Sequence, residues 1–460
     1  MPTSTPPSIA RYGDLMRSGE LTSTGLIQSV LDRIAETEPL VSAYAFVDRS
    51  GALAAAHRAD DELRHGTDRG PLHGIPIAIK DVIATADMPT LAGSRVPLGA
   101  LTEADATVVG LLRAAGAVIL GKHVTHEFAC GQNVPPTRNA WDHDCYPGGS
   151  SAGAGVSVAV GSCVAAIGTD AGGSVRKPAA LNGVVGLKPT YGRVSRAGVI
   201  QPSGSMDHVG LVTRYVADAA VILQAIAGAV PGDPSTIAEP VPHFGAYLSE
   251  PVAGRRVGVV SRSFLGGDDP AVTAATQAAL TVLGGLGADL IEVDMPSLPL
   301  VDATTTVILA AEAGYSHLAL LRAYAASYGP ATRRYLQLGA LVPAPFLQAA
   351  YKARATIARD VSHVFDTEGV DVLVTPTTPL RALPLAEMSI ERDLVRYVRH
   401  TALANLTGRP AVTVPCGFGD GLPIGLQLMG RPFREAELLG MAAAYEAAAP
   451  WAAATPAISS

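Results

Sequence analysis

Tyr146-Pro-Gly-Gly-Ser150-Ser-Ala-Gly-Ala-Gly155, followed after a short apolar stretch by Gly168-Thr-Asp170-Ala-Gly-Gly-Ser174-Val-Arg176-Lys-Pro178, is the part of the chain around which everything else must be fitted. Glycine at this density lets backbone approach backbone and leaves N–H groups free to point at a ligand. Three local readings compete. A phosphate-binding loop would end in Gly-Lys-Ser/Thr, and no such ending is present. A dinucleotide fingerprint needs a strand directly before it, which Asp144-Cys-Tyr-Pro-Gly148 does not supply. Gly149-Ser-Ser151-Ala-Gly153 matches the G-x-S-x-G nucleophile elbow, which would make Ser151 a nucleophile with His208, His317 or His400 as its base. The elbow sits on a strand-to-helix turn, whereas Pro147 and two glycines precede the serine here.

Outward from this segment the chain alternates between two periodicities. Upstream, Thr22-Ser23 caps a helix whose apolar positions Leu26, Ile27, Val30, Leu31 and Ile34 repeat every 3.6 residues, with Pro39 as its stop. Residues 51–65 predict an Ala-rich helix, and His73-Gly-Ile-Pro-Ile-Ala-Ile-Lys80-Asp81 a short apolar strand that ends in a lysine. Residues 105–115 read as helix and 117–121 as strand. Downstream, helices are predicted over 216–228, 270–287, 305–327 and 346–366. Strands are predicted over 256–260, 289–293 and 371–375, and 411–415 pairs with 424–429 in a hairpin across Gly419-Asp-Gly421. Alternation without a long Pro/Ser linker predicts one α/β domain over residues 1–460, in three α/β/α layers with a mixed, twisted central sheet flanked by helices. Only 229–254, rich in Pro and Gly, offers an internal seam.

With 48% apolar and 16% charged residues among 460, the chain affords a deep core. A net charge of −7 without a Lys/Arg run argues against a nucleic-acid surface. The first eight residues show no basic segment leading into an apolar one, so no secretory signal is expected. Nor does any stretch reach the roughly 18 uninterrupted apolar residues of a membrane helix. Residues 156–167 come nearest, broken by Ser157, Gly161 and Ser162. Cys130, Cys145, Cys163 and Cys416 form no CxxC pair, which suits reduced thiols in a cytoplasmic protein. No metal-ligand spacing is present, and no cofactor is expected.

The stretch from Gly148 to Ala179 resembles the signature of the amidase signature family, shared by amidases and the glutaminase subunits of tRNA-dependent amidotransferases. Leu72-His-Gly-Ile-Pro-Ile-Ala-Ile-Lys80-Asp81 is similar to that family's lysine strand. So, for their segments, are Gly121-Lys122, His126-Glu-Phe-Ala129, Arg138-Asn-Ala-Trp141-Asp142, Gly183-Val-Val-Gly-Leu-Lys-Pro-Thr-Tyr-Gly-Arg193, Ser205-Met-Asp207-His-Val-Gly210 and Thr407-Gly-Arg-Pro410-Ala. The likeness runs from about residue 20 to 435: a helical segment about 8–66, a signature core about 70–215, and a less family-like part about 230–400. Ala152 departs from the usual Gly or Ser and bears on pocket detail rather than catalysis.

The resemblance implies a serine amidase in which Ser174 is the nucleophile, Ser150 the proton relay and Lys80 the general base, with the Gly149–Ser150 peptide in cis. The chemistry agrees. A serine hydroxyl needs a neighbour to take its proton, and no histidine lies in the Gly/Ser segment. A lysine ending an apolar strand is desolvated, which favours its neutral, proton-accepting form. The N–H groups of Ala171, Gly172, Gly173 and Ser174 would converge on the oxyanion. Arg176 reads as a structural ion pair with Asp170, Asp207 as a structural hydrogen bond, and Ser151 as packing. Phe128 and Cys130 are read as substrate-binding residues.

The expected reaction is hydrolysis of the linear C–N bond of a small apolar or aryl amide, carbamates and esters being related substrates, through an acyl-enzyme. Phe128, Ala129, Cys130 and Ala171 offer few groups for an amino-acid zwitterion, which favours such an amide over glutamine, and the departure of 230–400 from the glutaminase pattern favours a stand-alone enzyme. The alternative is a glutaminase-type subunit that delivers ammonia to a partner; a lesser one is an α/β-hydrolase with Ser151 as nucleophile. Expected partners are the small-molecule substrate, with no nucleic acid and no membrane, and a second copy in a homodimer as the resemblance implies.

Overall fold

Several strand-forming runs of this chain are apolar at every position rather than at alternate ones, and such strands must be covered on both faces. The computed structural model describes residues 6–99, 103–260 and 269–457. In chain order its strands are β1 Tyr44–Val47, β2 Pro76–Lys80, β3 Val118–His123, β4 Ala165–Thr169, β5 Val185–Lys188 and β6 Val209–Thr213. They continue with β7 Arg256–Val260, β8 Asp289–Val293, β9 Val372–Pro376, β10 Ala411–Gly419 and β11 Leu422–Met429. Every residue of β2 through β6 is buried. One eleven-stranded sheet holds them in the order β1-β3-β2-β4-β6-β5-β10-β11-β9-β7-β8. Pairing is parallel for β2 with β3 and β4, and for β7 with β8 and β9; the other neighbours are antiparallel. Helices flank the sheet: Arg176–Asn182 packs on β5, β10 and β11, Val216–Ile226 on β6, and Glu435–Ala448 on β10. The expected single α/β domain with a mixed sheet flanked by helices is therefore the observed fold.

The parallel trio β3-β2-β4 positions the chemistry, because all three strands run toward the same edge of the sheet. Lys80 is the last residue of β2, and Thr169 the last of β4, on the strand beside it.

Boundaries differ from the sequence reading where tertiary contacts intervene. The helix Ser23–Val41 runs past Pro39 and stops at Ser42, whose left-handed backbone (φ 48) caps it; Thr22 accepts from Gly25 N at its start. A proline in the last turn leaves only one bond unmade, so it is tolerated there. The helix predicted over 305–327 is two, Val301–Ser316 and Leu318–Tyr324, divided at buried His317. A further helix, Pro330–Ala340, has no counterpart in the sequence reading. The hairpin is longer than its apolar runs, turning on Asp420 and Gly421 with φ of 48° and 78°, the backbone that a two-residue turn requires. Residues 229–254 do not divide the sheet, since β7 enters it directly afterwards through β9. No helix among the described residues is long and apolar enough to cross a membrane. Residues 1–5, where the expectation about a leader begins, lie outside the described residues.

Candidate active site

Lys80 is wholly buried, and its Nζ donates to Ser150 Oγ at 2.7 Å, to Thr169 Oγ1 at 2.8 Å and to Thr169 O at 3.4 Å. No carboxylate lies within ion-pair distance of it among the described residues. The neighbouring Asp81 turns to Lys122 instead, at 3.8 Å, and accepts the N–H groups of Leu91 and Gly93. Ser150 is held on a cis Gly149–Ser150 peptide, and its carbonyl accepts from His126 N at 3.2 Å. Any side chain at Gly149 would collide with the His126 ring, which explains the glycine. Ser174 is half-buried and opens, like Ser150, on one cavity of about 290 Å³. The Ser174 carbonyl accepts from Ser151 N at 3.1 Å, which ties the two serine segments together. Lys80 and Ser150 are in direct contact. Ser174 faces the same space with its hydroxyl not bonded to either.

The turn that presents Ser174 is built around Asp170. This buried carboxylate accepts Gly173 N at 2.7 Å, Val175 N at 3.1 Å, Arg176 Nε at 3.0 Å and Nη2 at 2.8 Å, and Asn405 Nδ2 at 3.0 Å. Arg176 is fully buried too and donates its remaining N–H groups to Thr401 O, Gln427 Oε1 and Asn405 Oδ1. Burial alone would raise the Asp170 pKa, but the Arg176 charge and hydrogen bonds override it and hold the carboxyl far below the usual range. Arg176 is thus a structural cation, as the sequence suggested. The oxyanion prediction needs one amendment. Gly173 N–H is engaged by Asp170, so only the N–H groups of Ala171, Gly172 and Ser174 remain without a hydrogen bond among the described residues.

The cavity wall differs from expectation in two places. Cys130 lines it, with Sγ directed to Phe128 O at 3.6 Å; burial pushes its thiol far up, so it stays protonated. Phe128 does not line it. Positive φ at Phe128 (51°) and Ala129 (58°) turns the ring into the core, where it meets the rings of His317 at 4.5 Å and Tyr328 at 5.3 Å. The wall is also less bare of polar groups than the sequence suggested, since His126, Gln132, Lys177, Asp302, Thr305 and Thr306 face it beside Leu309, Leu394 and Val398. Lys177 sits next to the saturated Arg176, and Asp302 and Thr305 come from a helix remote in sequence.

Charge in the site is set by burial. Desolvation depresses the Lys80 pKa, with Lys177 pressing the same way and Asp207 and Asp170 opposing. Asp207 is raised, again by burial first, with Lys80 opposing. One Asp207 oxygen accepts His208 N at 3.0 Å, and the other is buried without a hydrogen bond among the described residues. Asp207 therefore carries more than the hydrogen bond expected of it: it acts electrostatically on Lys80. Ser151 is fully buried, donates to Thr169 O at 3.2 Å and is not part of the cavity wall, which answers the elbow reading. His208 is engaged by Met206 O and His317 by Tyr328 OH. No group of three or more His, Cys, Asp or Glu among the described residues is arranged to hold a metal ion.

Comparison with known proteins extends over nearly the whole chain. The family described as Amidase matches residues 25–439. A Glutamyl-tRNA(Gln) amidotransferase subunit of Chloroflexus aggregans is 41% identical over 466 aligned positions, 95% of each chain. Among solved structures, the corresponding Glutamyl-tRNA(Gln) amidotransferase subunit of Thermotoga maritima superimposes with a TM-score of 0.80 at 34% identity, covering 93% of this chain and 92% of that one. The native peptide amidase of Stenotrophomonas maltophilia gives 0.86 at 33%, covering 96% and 97%. These relatives overturn the expectation of a stand-alone hydrolase of apolar or aryl amides. The sequence relatives that are 40–41% identical over 95–96% of this chain are each named as a subunit of Glutamyl-tRNA(Gln) amidotransferase. The same names correct the expected partners, a substrate and at most a second copy with no nucleic acid involved. Sequence reasoning erred because it weighed an acyl pocket from four residues and divergence over 230–400, a region whose helices supply part of the cavity wall.

Proposed function

The chain belongs to the amidase family, whose members act on C–N bonds, and from that footing we propose that it is the glutaminase-type subunit of an amidotransferase. The observation that carries this reading is the 41% identity, over 95% of both chains, to a protein named as one subunit of such an enzyme. In this reading Ser174 Oγ attacks the side-chain carboxamide carbon of glutamine while its proton passes through Ser150 to Lys80 Nζ. The N–H groups of Ala171, Gly172 and Ser174 take the oxyanion. The proton returns along the same path to the leaving nitrogen, ammonia departs, and a γ-glutamyl ester remains on Ser174 until water hydrolyses it. The direct Lys80–Ser150 bond of 2.7 Å supports the first proton transfer, and burial of Lys80 supports its neutral form.

Ammonia then passes to a partner that carries the acceptor. Nucleic acid enters the assembly through that partner, since this chain carries a net charge of −7 and no basic run. Four cysteines, all free thiols, go with a cytoplasmic location. The test is glutamine hydrolysis by the purified chain, alone and with proteins that co-purify with it. Ammonia release that rises with the partner and vanishes in Ser174→Ala is expected, with a fluorophosphonate label on Ser174. Glutamine left intact under both conditions would remove the reading.

A further inference from the structure

Arg176 and Lys177 are adjacent in sequence and both buried, yet they differ in what answers their charge. Arg176 is saturated by Asp170, Asn405, Gln427 and Thr401. Lys177 is 5% exposed, lines the cavity beside Ser150 and Ser174, and has no hydrogen-bond or ion-pair partner for its ammonium among the described residues. Burial lowers its pKa to about 8, with Asp170 opposing from a distance, both its oxygens already occupied, and Arg176 adding to the fall. A buried cation without a counter-ion is costly, and a ligand that brings the missing charge relieves that cost. The other charged side chain on the wall, Asp302, is half-exposed and already joined to Arg399 at 3.1 Å.

A second group points into the same space. His126 is 1% exposed, lines the cavity, and has neither ring nitrogen hydrogen-bonded among the described residues. Burial, with the charges of Lys177 and Lys80, brings its pKa down to about 3, so the ring is neutral and keeps one N–H to donate. Resting on the glutaminase reading of this site, we propose that Lys177 and His126 form the subsite that holds a substrate carboxylate, so that the cavity selects a primary amide whose acyl side bears an anionic carboxylate. The oxyanion of the reacting carbonyl does not need this pair, because three backbone N–H groups are free for it.

The experiment compares the full-length chain, with whatever protein co-purifies with it, against Lys177→Met and Lys177→Gln. Substrates are glutamine, glutaramate (a carboxylate without the α-amine) and butyramide, which is neutral. The ratio of kcat/KM for glutaramate to that for butyramide should fall by about 10–100-fold in both variants, the range for losing a charged hydrogen bond, chiefly through KM. Lys177→Arg should recover part of it. A ratio that stays put while both rates fall together makes Lys177 a structural or catalytic group and overturns the proposal. Calorimetric titration of glutaramate into Ser174→Ala, with and without Lys177→Met, reads the same subsite without turnover; equal Kd values would also overturn it. The two readings separate cleanly. Lys177-dependent turnover of glutaramate without glutamine hydrolysis keeps the subsite and removes the glutaminase, and glutamine hydrolysis indifferent to Lys177 does the reverse.

Discussion

Lys80 and Lys122 lie at the ends of adjacent parallel strands one register step apart, both wholly buried, and the molecule treats them in opposite ways. Lys122 Nζ donates to Ile83 O at 2.6 Å, Thr90 Oγ1 at 2.5 Å and Thr85 Oγ1 at 3.2 Å, and has the Asp81 carboxylate at 3.8 Å. Its three acceptors are neutral and a carboxylate stands just beyond them, so it is paired with the loop that follows β2. Lys80 meets two hydroxyls and a more distant carbonyl, and one of those hydroxyls belongs to Ser150. Burial lowers both pKa values, that of Lys122 to about 8, and Asp81 opposes the shift there. What sets the two lysines apart is therefore the carboxylate beside Lys122 and the Ser150 hydroxyl beside Lys80. Depth does not distinguish them.

The same substitution at both sites should break the comparison most forcefully. Lys80→Met is expected to lower kcat by at least about 10⁴-fold, on the scale of losing one member of a catalytic triad. It should hold stability to within ~1.5 kcal/mol, because the apolar strand accepts the thioether and no carboxylate in contact with it is left unpaired. Lys122→Met should do the reverse, with turnover of the folded protein within a few-fold and unfolding stability down by roughly 3–5 kcal/mol, as Asp81 is left buried and uncompensated. Urea melts and steady-state turnover on both variants check this. Equal losses of stability would erase the distinction.

Asp207→Asn sharpens it through pH. As the base proposed above, Lys80 would have to be neutral to accept a proton, and activity would fall as pH drops through its pKa. Asp207 raises that pKa, so removing its charge should move the acid limb of kcat/KM to lower pH. A limb that stays or moves upward would mean that Lys80 is not the group being titrated. The smallest effect is expected for Thr169→Val, which removes the hydroxyl 2.8 Å from Lys80 Nζ but keeps the side-chain shape. A net neutral hydrogen bond is worth about 1 kcal/mol, so kcat should fall roughly 5–10-fold with the acid limb nearly in place. A loss as large as that of Lys80→Met would give Thr169 a part in the proton path itself.

The sequence carried the frame well because its strongest signals are local. An apolar run that ends in lysine reads as β2, and 256–260 and 289–293 fall on β7 and β8 residue for residue. The placing of Lys80 against Ser150 was legible from residue types and a family resemblance. What could not be read depends on backbone angles or on partners far along the chain. Nothing in Glu127-Phe128-Ala129 announces the positive φ values that send Phe128 into the core. Thr169 was in view as part of Gly168-Thr-Asp170, but only the pairing of β2 with β4 shows it to be a ligand of Lys80. Asn405 and Gln427 lie more than two hundred residues from Arg176, beyond any periodicity. Lys177 was hidden by its neighbour, since a basic pair reads as one structural feature until each charge is traced to its partner.

The Asp170–Arg176 knot has a consequence for the order in which the protein comes alive. A chain emerging from the ribosome presents Lys80, Ser150 and Ser174 early, whereas a domain folds as a unit. The groups that receive Arg176, however, are Thr401, Asn405 and Gln427, and Gln427 lies on the second strand of the C-terminal hairpin. Until that hairpin is made, Asp170 alone seats the guanidinium, and the turn that carries Ser174 is braced only from within. Birth order and assembly order thus run in opposite directions, and a prematurely ended chain holds Lys80, Ser150 and Ser174 with the far half of this brace missing.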